Sequence, residues 1–230
     1  MKKNILLVGG SYGIGHAIAD LLSQDHKIYI ASRSYDHPPK SNIVHVPYDV
    51  NKHTSLPEVI PQEIHGFVFC PGSINLRPFK MLSVESFKED IQINFINMVT
   101  VLKEVLPRMA QGSSIVLFST VAVQTGMPFH TSVAAAKGAI EGFARSLAAE
   151  YAPKIRVNVI APSLTDTPLA EKLLNNDVKK EKMSARHPLK RYGSPEDIAN
   201  AAVFLLEETA AWITGQIIHV DGGISSLNLN

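Results

Sequence analysis

"ILLVGGSYGIGHAIADLL", residues 5–22, joins a short apolar run to a helix-period segment through a glycine-spaced loop. Each glycine has its own physical use. Gly9 permits a tight turn directly after a strand, Gly13 lets backbone approach a pyrophosphate, and Gly15 allows close helix–strand packing. The free N–H groups and dipole at a helix start favour phosphates. This strand–loop–helix context predicts a nucleotide-binding loop rather than a merely structural turn, with Ser11, Tyr12 and Ile14 counted among its residues. The spacing is G-x-x-x-G-x-G, not the G-x-G-x-x-G of the common dinucleotide fold.

Outward from this loop, apolar runs of strand length alternate with helix-period segments. The runs are Asn4–Val8, Lys27–Ala31, Ile43–Val46, Gly66–Cys70, Ser114–Phe118, Ile155–Ile160 and Gln216–Val220, with helical patterns near 14–24, 85–109, 132–151 and 195–208. Near-continuous apolar strands between helices predict an α/β fold: one doubly wound, Rossmann-like parallel sheet of about seven strands, with helices on both faces. The segment 51–64 has room only for a short helix, and 163–193 is the least regular stretch, a candidate mobile lid. No repeat or linker marks a second domain, so a single domain over 1–230 is expected.

The net charge of +1, from 22 basic and 21 acidic residues, gives no reason to expect nucleic acid or an anionic membrane as partner. The run Ile5–Val8 is too short for a signal-peptide core, and no segment approaches the roughly 20 apolar residues that span a bilayer. The one cysteine, Cys70, has no internal disulfide partner, which makes a reducing cytoplasm the default location.

Ligands of open parallel sheets bind outside the carboxyl ends of the strands. Gly9, Ser32 and Arg33, Asp49, Cys70–Gly72, Ser119 and Thr120, and Pro162 and Ser163 all follow strand runs directly, so they should share one rim. At the second strand end an acidic residue would accept from a ribose 2′-OH, while an arginine would pair with a 2′-phosphate. Ser32-Arg33 with no carboxylate before Asp36 favours NADP(H) over NAD(H), the alternative being a solvated loop arginine. Asp49-Val50 would contact adenine, or Asp49 would serve as a turn or cap residue. Cys70 reads as a buried inert thiol.

Together these features resemble the short-chain dehydrogenase/reductase family over essentially the whole chain. "VGGSYGIG" is similar to its T-G-x-x-x-G-x-G loop, "YDV" matches its Asp-Val after the third strand, and "FCPG" stands where it has N-N-A-G, which aligns Cys70, Pro71 and Gly72 with cofactor-binding positions. Asn94 matches the asparagine of its long interface helix, and counting back from Lys137 puts Thr120 at its catalytic serine. "VNVIAPSLTDTPL" is similar to V-N-x-x-x-P-G-x-x-x-T, with Pro162 and Thr167 kept and Ser163 replacing glycine. The resemblance implies an oxidoreductase acting on a small-molecule carbonyl or alcohol. It also implies a homodimer or homotetramer through helices 85–109 and 132–151.

The family's reaction uses a serine, a tyrosine four residues before a lysine, that lysine, and an asparagine. The lysine binds the nicotinamide ribose and lowers the tyrosine's pKa. Here position 133 is valine, and none of the six tyrosines falls at another workable register. His130, seven residues before Lys137, shares its face if the helix reaches that far, and is the candidate replacement donor; otherwise it belongs to a loop or pocket wall. The expected catalytic set is Thr120, Lys137, Asn94 and His130. An NADP-binding pseudoenzyme and a non-redox enzyme on the same fold are the alternatives.

Overall fold

The computed structural model describes residues 2–53 and 55–228; Met1, Thr54, Leu229 and Asn230 of the expected 1–230 domain lie outside the described residues. Seven strands form one all-parallel sheet: β1 (Asn4–Val8), β2 (Lys27–Ser32), β3 (Ile43–Pro47), β4 (Ile64–Phe69), β5 (Met109–Phe118), β6 (Ile155–Pro162) and β7 (Ile217–Val220). Their order is β3-β2-β1-β4-β5-β6-β7, so the winding reverses between β1 and β4. A crevice opens at such a reversal, at the carboxyl ends of the strands.

The helices are α1 (Gly13–Leu22), α2 (Val84–Ile91), α3 (Asn97–Val105), α4 (Ala122–Thr125), α5 (Thr131–Tyr151), α6 (Asp177–Arg186) and α7 (Pro195–Leu206). Alternate strand residues feed opposite layers. Leu6, Phe67, Ile115 and Val157 pack with Met98 and Leu102 of α3 and Ile140 and Leu147 of α5. Ile5, Leu7, Val68 and Val116 pack with Ile18 of α1 and Ile198 and Leu205 of α7 on the other face. Burial on both faces is why the strands read as unbroken apolar runs.

Three expectations need correction. The described residues of 51–64 form turns and bends that lead into β4 at Ile64, not a helix. Pro57 and Pro61 remove backbone donors there, while Leu56 N–H donates to Glu104 Oε2 at 2.7 Å and Leu56 and Ile60 are buried in the core. The 85–109 helix is interrupted by a π turn at Gln92–Ile96 and ends through a 3₁₀ turn at Leu106–Arg108, with Pro107 inside it and β5 following at once. The 163–193 segment contains a 3₁₀ turn, Pro168–Leu173, and helix α6. Its ends are tied to each other by Gly193 N–H to the Leu164 carbonyl at 2.9 Å and Asp166 N–H to the Gly193 carbonyl at 2.8 Å.

Candidate active site

A cleft of about 390 Å³ lies over the winding reversal. Its floor is the loop after β1, where Gly9, Ser11, Tyr12, Gly13, Ile14 and Gly15 line the wall. Gly13 has φ +56°, and a Cβ there would come within 3.2 Å of Thr167, which faces it from across the cleft. A Cβ on Gly15 would lie 2.6 Å from the Gly9 carbonyl oxygen. The loop is therefore a bare-backbone cradle at the start of α1, suited to an anionic group.

The opposite wall comes from three other strand ends. Ser32 and Arg33 follow β2, Asp49 and Val50 follow β3, and Cys70, Pro71 and Gly72 follow β4. Asp49 Oδ1 accepts from Asn51 N–H at 3.0 Å, so it caps its own turn as well as lining the cleft. Burial pushes the Cys70 thiol up to about 12, against the opposing charge of Lys137. It is a packing thiol, not a nucleophile.

The remaining expected residues stand outside that wall. Lys137 Nζ–H donates to the Phe118 carbonyl at 3.0 Å, and burial brings it down to about 8. A Cβ on Gly72 would meet Asn94 Oδ1 at 3.0 Å and Lys137 Nζ at 3.5 Å, so the missing side chain is what lets the amide and ammonium face one space. Thr120 Oγ1 accepts from Ala122 N–H at 3.3 Å, and the neighbouring Val121 N–H reaches the Pro162 carbonyl at 3.2 Å. Val133, one turn before Lys137 on α5, is buried.

Two expected residues are placed differently. His130 is the cap of α5 rather than a residue within it: its carbonyl accepts from Ala134 N–H at 2.8 Å, and its Nδ1–H donates to the Pro128 carbonyl at 2.7 Å. The Ser163 hydroxyl donates to His187 Nε2 at 2.8 Å, and both residues line a separate cavity of about 120 Å³. His187 Nδ1–H is fixed by the Met183 carbonyl at 2.8 Å, so the Ser163 side chain is engaged away from the main cleft.

The sequence reading passed over a buried polar network. Asp90 and Ser132 are within 1% of full burial, yet Ser132 and Ser73 hydroxyls both donate to the Asp90 carboxylate. Asn94 Nδ2–H donates to Ser73 Oγ at 2.9 Å and to the Asp90 carbonyl at 2.8 Å. Asp90 stands four residues before Asn94, a helical spacing that was available as a signal. Ser119 Oγ–H, just past β5, donates to Glu141 Oε1 of α5 at 2.6 Å, a further buried link. Among the described residues no group of His, Cys, Asp and Glu is placed to hold a metal ion, and no helix is long and apolar enough to cross a membrane.

A family model described as enoyl-(acyl carrier protein) reductase matches residues 9–225. A 2,5-dichloro-2,5-cyclohexadiene-1,4-diol dehydrogenase of Sphingobium indicum is 28% identical, over 98% of both chains. An inactive 2-(S)-hydroxypropyl-CoM dehydrogenase of Xanthobacter autotrophicus is 37% identical over 70% of this chain and 74% of its own. Two solved structures superpose with a TM-score of 0.88 at 25% identity, covering 99% of this chain and 100% of theirs: a short chain dehydrogenase family protein of Francisella tularensis, and ElxO with NADP bound. A match running nearly end to end, on a sheet of this order, places the chain in the short-chain dehydrogenase/reductase family of NAD(P)-binding oxidoreductases.

Proposed function

We propose that the protein is an NADP(H)-dependent oxidoreductase of a small-molecule carbonyl or alcohol, with valine where the family's catalytic tyrosine stands. The cleft wall carries this reading. Bare glycine backbone meets the start of α1 on one side, and Arg33, with no carboxylate before Asp36, stands on the other. Gly9, Gly13 and Gly15 would hold the pyrophosphate, Ser32 and Arg33 the adenosine ribose and its 2′-phosphate, and Asp49-Val50 the adenine edge. Pro162, the Ser163 backbone and Thr167 would border the nicotinamide. When bound, that cofactor supplies or takes the hydride.

In this reading Lys137 holds the nicotinamide ribose, with Asn94 sharing the space beside Gly72. Thr120 offers its hydroxyl to the substrate oxygen. Val133 can neither give nor take a proton, and His130 has its Nδ1–H committed to the Pro128 carbonyl. Exposed Val84, Ile91 and Ile96 on and beside α2 support association of copies through the 85–109 segment and α5, as a homodimer or homotetramer. The cytoplasm remains the proposed location.

Buried Val133 also favours a second reading, a nucleotide-binding protein without turnover. Titration with NADPH and NADH by nucleotide fluorescence, then NADPH oxidation over aldehydes, ketones and 3-oxoacyl thioesters, separates the two. Binding with turnover supports the oxidoreductase, and binding without turnover supports the second reading. No binding of either nucleotide at millimolar concentration removes both.

A further inference from the structure

After Ser163 the chain leaves the sheet and returns only at Gly193, on the way to α7. The two ends of this excursion lie side by side, with Gly193 N–H on the Leu164 carbonyl and Asp166 N–H on the Gly193 carbonyl. Just inside its first end, Thr167, Pro168 and Leu169 form part of the cleft wall. Thr167 stands so close to the glycine loop that a Cβ on Gly13 would come within 3.2 Å of its Cγ2 and 3.8 Å of Pro168 Cδ. The excursion therefore straps the cleft at the loop expected to hold the pyrophosphate.

Little apolar burial holds this strap down. Between Asp166 and Tyr192 the buried side chains are Ala170, Leu174 and His187, and α6 buries none of its residues. His187 is the polar one, and both of its ring nitrogens are engaged. The Met183 carbonyl can only accept, so Nδ1 carries the hydrogen donated to it at 2.8 Å. Nε2 is then the acceptor for the Ser163 hydroxyl, also at 2.8 Å. The ring packs on the turn after β7, where a Cβ on Gly222 would lie 3.6 Å from His187 Cδ2, and Leu189 N–H reaches the Gly222 carbonyl at 3.3 Å. One imidazole thus joins the end of α6 to the ends of β6 and β7. Its partner hydroxyl exists because Ser163 stands where the family's motif has glycine.

We propose that Ser163 and His187 form a latch that sets the rate of dinucleotide exchange: while their hydrogen bond holds, Thr167 and Pro168 stay on the glycine loop, and a dinucleotide enters or leaves when the strap lifts. Neither side chain lines the cleft, so the bond is made whether or not the cleft is filled. Loosening it should speed entry and departure alike and leave affinity nearly unchanged, because the latch favours the closed strap equally in both states. The two are positioning residues, acting through the strap. The proposal rests on the dinucleotide-binding reading above.

Two measurements on the full chain test it. Hydrogen exchange without nucleotide should show the Ala170 and Leu174 amides of Ser163→Ala exchanging about three- to tenfold faster, the effect of losing one hydrogen bond, with β1 and β4 unchanged. Stopped-flow fluorescence should show NADPH entering and leaving that variant about three- to tenfold faster, with affinity within about twofold of wild type. His187→Phe keeps the bulk of the ring without an acceptor. It should act in the same direction, and adding Ser163→Ala to it should change neither rate further. Ser163→Thr keeps the hydroxyl and should behave as wild type.

Faster departure with unaltered entry would make the strap a binding wall, and faster hydrogen exchange with both nucleotide rates unaltered would leave it no gate. Either result overturns the latch and leaves the NADP(H) reading standing. Failure of the wild-type chain to bind NADPH or NADH removes that reading, and the exchange role with it, whatever the hydrogen exchange shows. If Ser163→Ala exchanges hydrogen as wild type does, the bond holds nothing down and the proposal fails at its first step.

Discussion

Lys137 Nζ donates to the main-chain carbonyl of Phe118 at 3.0 Å, which ties α5 to the end of β5. That bond holds the ammonium opposite Gly72 and beside Asn94. Helical spacing puts Val133 one turn earlier on the same side of α5. One turn before that fixed charge, α5 thus offers no group able to transfer a proton. Retention of one residue without the other is what an intact cofactor site with an altered chemical step would show.

Lys137→Met should stabilise the protein and weaken NADPH binding. The folded-state pKa, near 8, lies below the ordinary lysine value of 10.5, so holding the charge opposes folding. Below pH 8 both folded and unfolded chains carry the proton, and the full cost is present. Between about 8 and 10.5 the folded chain has lost its proton while the unfolded chain keeps it, so wild-type stability rises with pH. Thermal or urea unfolding should show the methionine variant ahead by about 1–3 kcal/mol at pH 7, an advantage that fades toward pH 10.

His130→Ala should be nearly silent. Its Nδ1–H is held two residues back by the Pro128 carbonyl, and the residue sits at the cap of α5. NADPH affinity and any NADPH-dependent rate should change less than about twofold, against the roughly 10²-fold loss expected of a proton donor. A loss of that larger size in steady-state assays would restore the histidine to the reaction.

Asp90→Ala should be among the most damaging changes on the α2 side of the site. It leaves the Ser73 and Ser132 hydroxyls without their acceptor in a buried position and loosens the loop residue Ser73 that holds Asn94. A loss of about 2–4 kcal/mol is expected in urea unfolding. Asp90→Asn keeps one acceptor oxygen and should cost about half as much.

Much of this architecture was legible because the strands are buried on both faces, so apolar runs such as Ile5–Val8 and Ile115–Phe118 announce themselves. The glycine cradle was legible because its backbone demands are local. The turns of 51–64 were not, since Leu56 is fixed by Glu104, 48 residues away. Nor was a cluster of rings: His16, His37 and His45 meet only once β2 is inserted between β1 and β3. Nor was the setting of His130, because whether a seven-residue spacing puts it on the face of Lys137 depends on where α5 begins, and His130 stands at its cap.

Val133→Tyr tests whether the phenol is the one missing part. Val133 is only 6% exposed, so the larger ring must displace neighbours, at an expected cost of about 1–3 kcal/mol in unfolding experiments. Lys137, four residues on, would stabilise the phenolate and bring its pKa toward neutrality. With NADPH and a panel of carbonyl substrates the rate should rise at least about 10²-fold over wild type, while NADPH affinity changes little. Val133→Phe adds nearly the same bulk without the hydroxyl and should give no such rise. If the tyrosine variant binds NADPH as wild type does and still turns over no faster, the defect lies in how the site receives a carbonyl, not in proton delivery.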